Sequence, residues 1–203
     1  ATQFACGWDA QANLATAERL VREAAARGAQ VILLQELFET PYFCIEQDTR
    51  HLALATALAE NAAVRRFGPI ARELEVVLPV SFFERAGNVF FNSIAIIDAD
   101  GAVLGVYRKS HIPNGPGYQE KNYFSLGDTG FKVWDTAAGK VVKSIPTGHN
   151  PNDMELGADG RLYVANGNES TVTVIDTKAL TPIETISVAL TSKAPEGATP
   201  NGL

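Results

Sequence analysis

The sequence predicts an α/β layered fold over residues 1–135, followed by an all-β segment over 136–203. Three observations carry this reading. Up to about residue 130, apolar strand-like runs alternate with stretches rich in Ala, Leu, Arg and Glu, the pattern of helices laid on a sheet. From 137 onward the helical texture disappears, and short β-rich runs are separated by turn residues. A chain of 203 residues that is 46% apolar and 20% charged can bury one sizeable core or two small ones, which excludes a disordered polypeptide.

In order along the chain, Leu14, Ala17, Val21 and Ala24 recur at steps of three and four, so residues 14–28 form a helix with one apolar face. Gly28 is its C-terminal stop. QVILLQ at 30–35 is nearly all apolar and predicts a strand buried on both faces. Residues 61–75 predict a second helix, with a break or a start at Gly68-Pro69. Val76–Phe83 is a further apolar strand. Phe90–Ile97 and Val103–Arg108, joined by Asp98-Ala99-Asp100-Gly101, predict an antiparallel hairpin. In the later segment, strands are expected at Val141–Ile145, Arg161–Ala165, Thr171–Ile175 and Ile183–Val188. Turns are expected at 157–160, 166–168 and Thr181-Pro182. VWDT at 133–136 recurs as VIDT at 174–177, 41 residues later, and PND at 151–153 is echoed by PNG at 200–202. A period near 40 residues with several short strands per unit is that of propeller blades; a chance match in a generic β domain is the alternative.

Charge narrows the partners. The chain has 17 Lys and Arg against 23 Asp and Glu, net −6, whereas a nucleic-acid partner requires a dense basic face. No apolar run reaches the ~18–20 residues of a membrane span. ATQFACGWDAQ has neither the basic start nor the long apolar stretch of a secretory leader, so a cytoplasmic location is expected. Two cysteines, Cys6 and Cys44, do not make a disulfide framework or a zinc site. His51, His111 and His149 share no ligand spacing, so no metal and no cofactor are expected. Ser110-His111 is adjacent without a specified acidic partner, and Asn114–Gly117 lacks the Lys-Ser/Thr ending of a phosphate cradle. Phe82, Phe83, Phe90 and Phe91 fit core packing.

The stretches TAERLVREAAARGAQVILLQELFETPYFC, LPVSFFER, NSIAIIDADG and GVYRKSHIPNGPGYQEKNYFSLGDTGFKVWDT give residues 1–135 a close resemblance to the N-terminal half of the nitrilase superfamily. Within it, the similarity is to amidases that cleave an N-carbamoyl amine to the amine, CO2 and ammonia. The resemblance implies an αββα sandwich, self-association across its sheets, and a small-molecule N-carbamoyl amine substrate. That chemistry uses a thiolate nucleophile, a carboxylate that moves protons and an ammonium that stabilises an oxyanion. By motif, Glu36 of QELFE corresponds to the general base, Lys109 of YRKSH to the cationic stabiliser, and Glu120 of GYQEK to a second acidic residue that positions substrate or Lys109. Glu36 and Lys109 each follow an apolar strand, where clefts of α/β sheets form. They are therefore expected within ~10 Å of one another, about a Debye length.

The nucleophile motif of that family, of the form ICWDQWFPE, does not occur in this sequence. After VWDT the chain instead resembles a YVTN-type β-propeller, through DGRLYVAN and STVTVIDT. The whole reads as a partial nitrilase-like sandwich, 1–135, joined to a propeller-blade fragment, 136–203, that is too short to close and is expected as an antiparallel meander. Cys44 in PYFC is read as a packing residue, and Cys6 as core on a first strand. Three functional readings stand. The first is a carbon–nitrogen hydrolase site that is inactive alone for want of its cysteine. The second is a binding or scaffold module acting through the β segment, and the third a non-functional chimera.

Overall fold

In a computed structural model the protein is described over residues 1–136, 140–149, 151–167 and 169–189. It divides into two compact units, Ala1–Thr129 with Trp134–Val142, and Gly130–Val133 with Lys143–Leu203. Among the described residues no helix is long and apolar enough to cross a membrane. The echo PNG at 200–202 lies outside the described residues.

The first unit opens with an extended segment and helix α1, Ala10–Ala26. Asp9 starts the helix by accepting hydrogen bonds from the Gln11 and Ala12 amides. Its end is the expected one. Gly28 has φ +89°, and the Gly28→Ala25 and Ala29→Ala24 amide-to-carbonyl bonds close a Schellman motif. Helix α2 spans Ala62–Leu74 without interruption, so the break expected at Gly68-Pro69 is corrected. Pro69 removes one backbone bond from its interior, but Phe67, Ile70 and Ala71 are buried on the same face and hold the turns on either side. Gly68 also carries no side chain for a reason. A Cβ there would lie 3.3 Å from the Gly101 carbonyl.

Strands β1 (Leu78–Ala86), β2 (Val89–Ile97) and β3 (Val103–Arg108) form an antiparallel sheet in that order. The hairpin expected between β2 and β3 is present, turning through Gly101 at φ +83°. The pleat gives the sheet two distinct faces. Leu78, Val80, Phe82, Ala95, Ile97 and Val106 point one way and pack with Leu14, Val21, Phe67 and Ile70 of the helices in the main core. Ser81, Phe83, Asn92, Ile94 and Tyr107 lie on the other face. There Phe83 joins Leu37, Phe43, Cys44, Ile112, Tyr123 and Phe124 in a second, aromatic cluster.

Residues 30–35 do not form a strand buried on both faces. They are extended, with one parallel bridge from Val31 to Val77, and Thr2 donates its amide to the Leu33 carbonyl. Ile32 and Leu34 are buried while Val31 and Leu33 are 63% and 45% exposed. The apolar run conceals a period of two, and only one side of it meets the helices. Cys6 belongs to a similar extended segment, rather than a strand, and packs half-buried against the main core.

Strands β4 (Lys132–Asp135) and β5 (Lys140–Ser144) pair as a two-stranded sheet. The second unit holds an open antiparallel meander of β6 (Pro151–Leu156), β7 (Arg161–Asn166), β8 (Thr171–Asp176) and β9 (Thr181–Ser187). Val164 and Ile175 on the central strands pack with Ile145, Leu162 and Leu180. β6 is absent from the sequence expectation because PNDMEL has too few apolar residues to signal a strand. Thr181-Pro182 is a strand start, not a turn. Pro182 cannot donate to a ladder and is tolerated because β9 is the edge strand.

Candidate active site

The three residues singled out by motif meet around one atom. Lys109 Nζ donates to Glu36 Oε1 at 3.0 Å and to Glu120 at 3.0 Å (Oε2) and 3.3 Å (Oε1). Each arrives on a different element. Glu36 ends the extended 30–35 segment. Lys109 follows β3, its amide bonded to the Asn92 carbonyl and its own carbonyl accepting from Gly127. Glu120 opens a short 3-10 turn, Glu120–Asn122.

Burial grades the cluster. The Glu120 side chain is 5% exposed, Lys109 30% and Glu36 51%. An anion as buried as Glu120 needs strong partners. It has the Lys109 ammonium and, on Oε1, the Tyr42 hydroxyl at 2.8 Å. Burial, and then the Glu120 carboxylate, push the Tyr42 phenol well above its usual range, so it stays a donor. Burial works against the charge on Lys109, but Glu36 and Glu120 outweigh it and raise its titration above the ordinary lysine value. The ammonium therefore persists through neutral pH.

The residue after Glu36 is strained. Leu37 has φ +51°, a left-handed conformation that costs a non-glycine residue about 1–2 kcal/mol. Its amide is held by Ser81 Oγ at 2.9 Å, from the site face of β1. Asn92, buried on the same face of β2, donates its side-chain amide to Glu36 Oε1 at 2.5 Å. A cavity of about 270 Å³ opens beside these groups, lined by Leu33, Ile94, Tyr107, Ser81, Asn92, Glu36 and Lys109 among others. Its walls are mostly apolar and its polar groups converge on Glu36 and Lys109, the form a small-molecule site takes.

Of the remaining candidates, Cys44 lies near enough to feel the charges of the cluster, and the others lie apart from it. Cys44 is fully buried in the aromatic cluster. Burial first, then the charges of Glu120 and Glu36, push its thiol up to about 12, so almost no thiolate forms at neutral pH. Burial also raises the Cys6 thiol. Ser110 bonds to the Tyr107 hydroxyl, and His51 stacks on Trp8 and contacts Glu46. Gly115 and Tyr118 exchange backbone bonds, so 114–117 is a turn. No group of three potential metal ligands occurs among the described residues. Tyr42, Ser81 and Asn92 escaped sequence reasoning. PYFC, LPVSFFER and NSIAII did carry polar residues inside apolar runs, and that was the available signal.

The sequence profile of the carbon–nitrogen hydrolase family matches residues 1–150. The chain is 58% identical over 143 residues to N-carbamoylputrescine amidase of Arabidopsis thaliana, covering 70% of this chain and 48% of that protein. It is 52% identical over 133 residues to citrullinase of Francisella tularensis, covering 66% and 46%. Among solved structures, the carbon–nitrogen hydrolase of Helicobacter pylori G27 superposes with a TM-score of 0.61 at 31% identity, over 70% of this chain and 48% of that one. The chain thus spans about half the length of the relatives it matches.

Proposed function

Because the chain belongs to the carbon–nitrogen hydrolase family, we propose that residues 1–135 carry the proton-transfer and oxyanion-stabilising part of an amidase site for small N-carbamoyl amines. The observation that carries this reading is the Lys109 ammonium held between Glu36 and Glu120 at the mouth of an apolar cavity. In this assignment Glu36 is the general base. It takes the proton of an attacking thiol and returns it to the leaving amine or ammonia. Lys109 stabilises the oxyanion that forms when the carbamoyl carbon becomes tetrahedral. Glu120, whose Oε1 also accepts from Tyr42, fixes the ammonium in place. The two ureido-type names among the relatives support an N-carbamoyl substrate over a simple amide.

The same reading makes the chain inactive by itself. Neither cysteine stands in the family's nucleophile motif, and Cys44 is a poor substitute with its thiol near 12. Losing the nucleophile from a set that works as a unit removes about 10⁶-fold in rate in a well-dissected serine hydrolase. Ammonia release from N-carbamoylputrescine and from citrulline tests this on the 203-residue chain. No turnover above buffer is expected. Turnover that disappears in Cys44→Ala would make Cys44 the nucleophile and overturn the assignment.

Residues 136–203 we assign to a propeller-type blade fragment, on DGRLYVAN and STVTVIDT falling in adjacent antiparallel strands. Edge strand β9 is exposed along nearly its whole length, with Ile183 and Ile186 on it. Such an edge favours pairing with another copy. Dimers or larger species are expected, and a monomer across a wide concentration range in sedimentation would contradict this.

A further inference from the structure

We infer that Asn92 is the positioning residue of this site, holding Glu36 Oε1 against Lys109 so that Oε2 is the oxygen that carries the proton. The inference rests on the role proposed for Glu36, but its geometry is independent of any nucleophile. Asn92 sits on the middle strand of the sheet, opposite Phe83 of β1, and is 5% exposed. It reaches both halves of the ion pair. Its backbone carbonyl accepts the Lys109 amide at 2.8 Å, and its side-chain amide donates to Glu36 Oε1 at 2.5 Å. A carboxylate cannot donate, so the nitrogen of the Asn92 amide has to face Glu36. Glu36 Oε1 thereby accepts from Asn92 Nδ2 and Lys109 Nζ together. Its Oε2 accepts no hydrogen bond among the described residues, and Glu36 lines the cavity.

The residue type matters as well as the place. Glu36 is half exposed and follows an extended segment, so its side chain has few contacts of its own to fix a rotamer. A short, buried amide on a paired strand supplies a rigid neutral donor. An aspartate in its place would set a third carboxylate beside a single ammonium, and an aliphatic residue would leave Oε1 with Lys109 alone.

The test reads the ion pair directly in the full 203-residue chain. The pH profile of Lys109 acylation by acetic anhydride is followed by peptide mass spectrometry in the parent, Asn92→Leu and Asn92→Asp. Opposite charges within a few ångströms move such titrations by about 1 unit or more. Asn92→Leu frees Glu36 and should shift the profile ~0.5–1 unit lower, and Asn92→Asp should shift it upward by a similar amount. The Asn92→Asp shift calibrates what a charge at that place does to Lys109, and the downward shift in Asn92→Leu, which adds no charge, reads the hold on Glu36. If Asn92→Leu does not fold, as judged by circular dichroism, Asn92→Ala, which removes the donor without adding a charge, decides in its place with the same downward shift expected. An unchanged profile in folded Asn92→Leu or Asn92→Ala overturns the inference and leaves the assignment of Glu36 untouched. Conversely, Glu36→Gln that leaves the parent Lys109 profile unmoved would remove the ion pair and both readings with it.

Discussion

The sheet of the first unit and the meander of the second are both antiparallel, yet they use charge in opposite ways. In β1–β3, Glu84 is 7% exposed and is held by the forked Arg108 guanidinium at 2.7 and 2.8 Å and by Ser93 Oγ at 2.6 Å. Arg108 also lies 4.1 Å above the Phe91 ring and reaches Asp128. The next residue, Lys109, points to the other face and binds Glu36 and Glu120. One strand end therefore anchors two charge networks, each built around one almost fully buried carboxylate, Glu84 and Glu120. In the second unit, Arg161 pairs with Asp159 and the His149 ring lies 3.3 Å from a Glu169 oxygen, and both basic side chains are exposed. Asp159 and Asp176 serve turn amides. Buried, paired charge is confined among the described residues to the first of the two sheets.

The largest effect that should separate the units is Arg108→Ala. It leaves Glu84 buried without its cation, which costs about 3–5 kcal/mol. Urea unfolding followed by hydrogen exchange should show that loss across β1–β3 and little change in β6–β9; equal loss in both would mean that the units do not unfold separately. Ser81→Ala removes the acceptor of the strained Leu37 amide and should cost about 1–3 kcal/mol, read in the same way. In the meander, Val164→Ala strips a fully buried side chain and should cost about 1–2 kcal/mol, confined to β6–β9 exchange.

Acid should sharpen the contrast. Burial pushes the Glu84 carboxyl up, but the hydrogen bonds of Arg108 and Ser93 outweigh it and hold it below the usual range. A carboxylate with a depressed folded-state pKa contributes stability above its unfolded value of about 4.3, and loses it as pH falls through the folded value. The melting temperature of the first unit should therefore fall below pH ~4. It should fall less in Glu84→Gln, whose stability is already reduced at neutral pH. Asp159 and Asp176 are also lowered, by backbone amides of Arg161 and of Ala179 and Lys178, but on exposed turns. Asp176→Ala should give the smallest effect, a local rise in exchange at Lys178 and Ala179.

Motif residues were legible because the elements that carry them are local. Glu36 closes an apolar run, Lys109 ends a hairpin strand, and Gly28 stops a helix. What the sequence concealed depends on partners far along the chain. VILLQ reads as buried on both faces until the pleat exposes Val31 and Leu33. Gly68-Pro69 reads as a break until α2 is held by its buried face. Asn92 and Ser81 look like ordinary polar interruptions, and only the pairing of β1 with β2 sets them beside residues 36 and 37. The β segment was legible as strands separated by turns. Its polar first strand, β6, was not.

The reading proposed is that the first unit carries Glu36, Lys109 and Glu120 of an amidase site whose nucleophile would come from a second half that this chain does not match. The most direct measurement replaces residues 136–203 with the C-terminal half of an N-carbamoylputrescine amidase and follows ammonia release from N-carbamoylputrescine. Activity is predicted in the graft and absent from the parent chain. Glu36→Gln in the graft should lower it by about 10²–10⁴-fold, the usual worth of a positioned acid–base group. A folded graft without activity, or one indifferent to Glu36→Gln, would contradict the account.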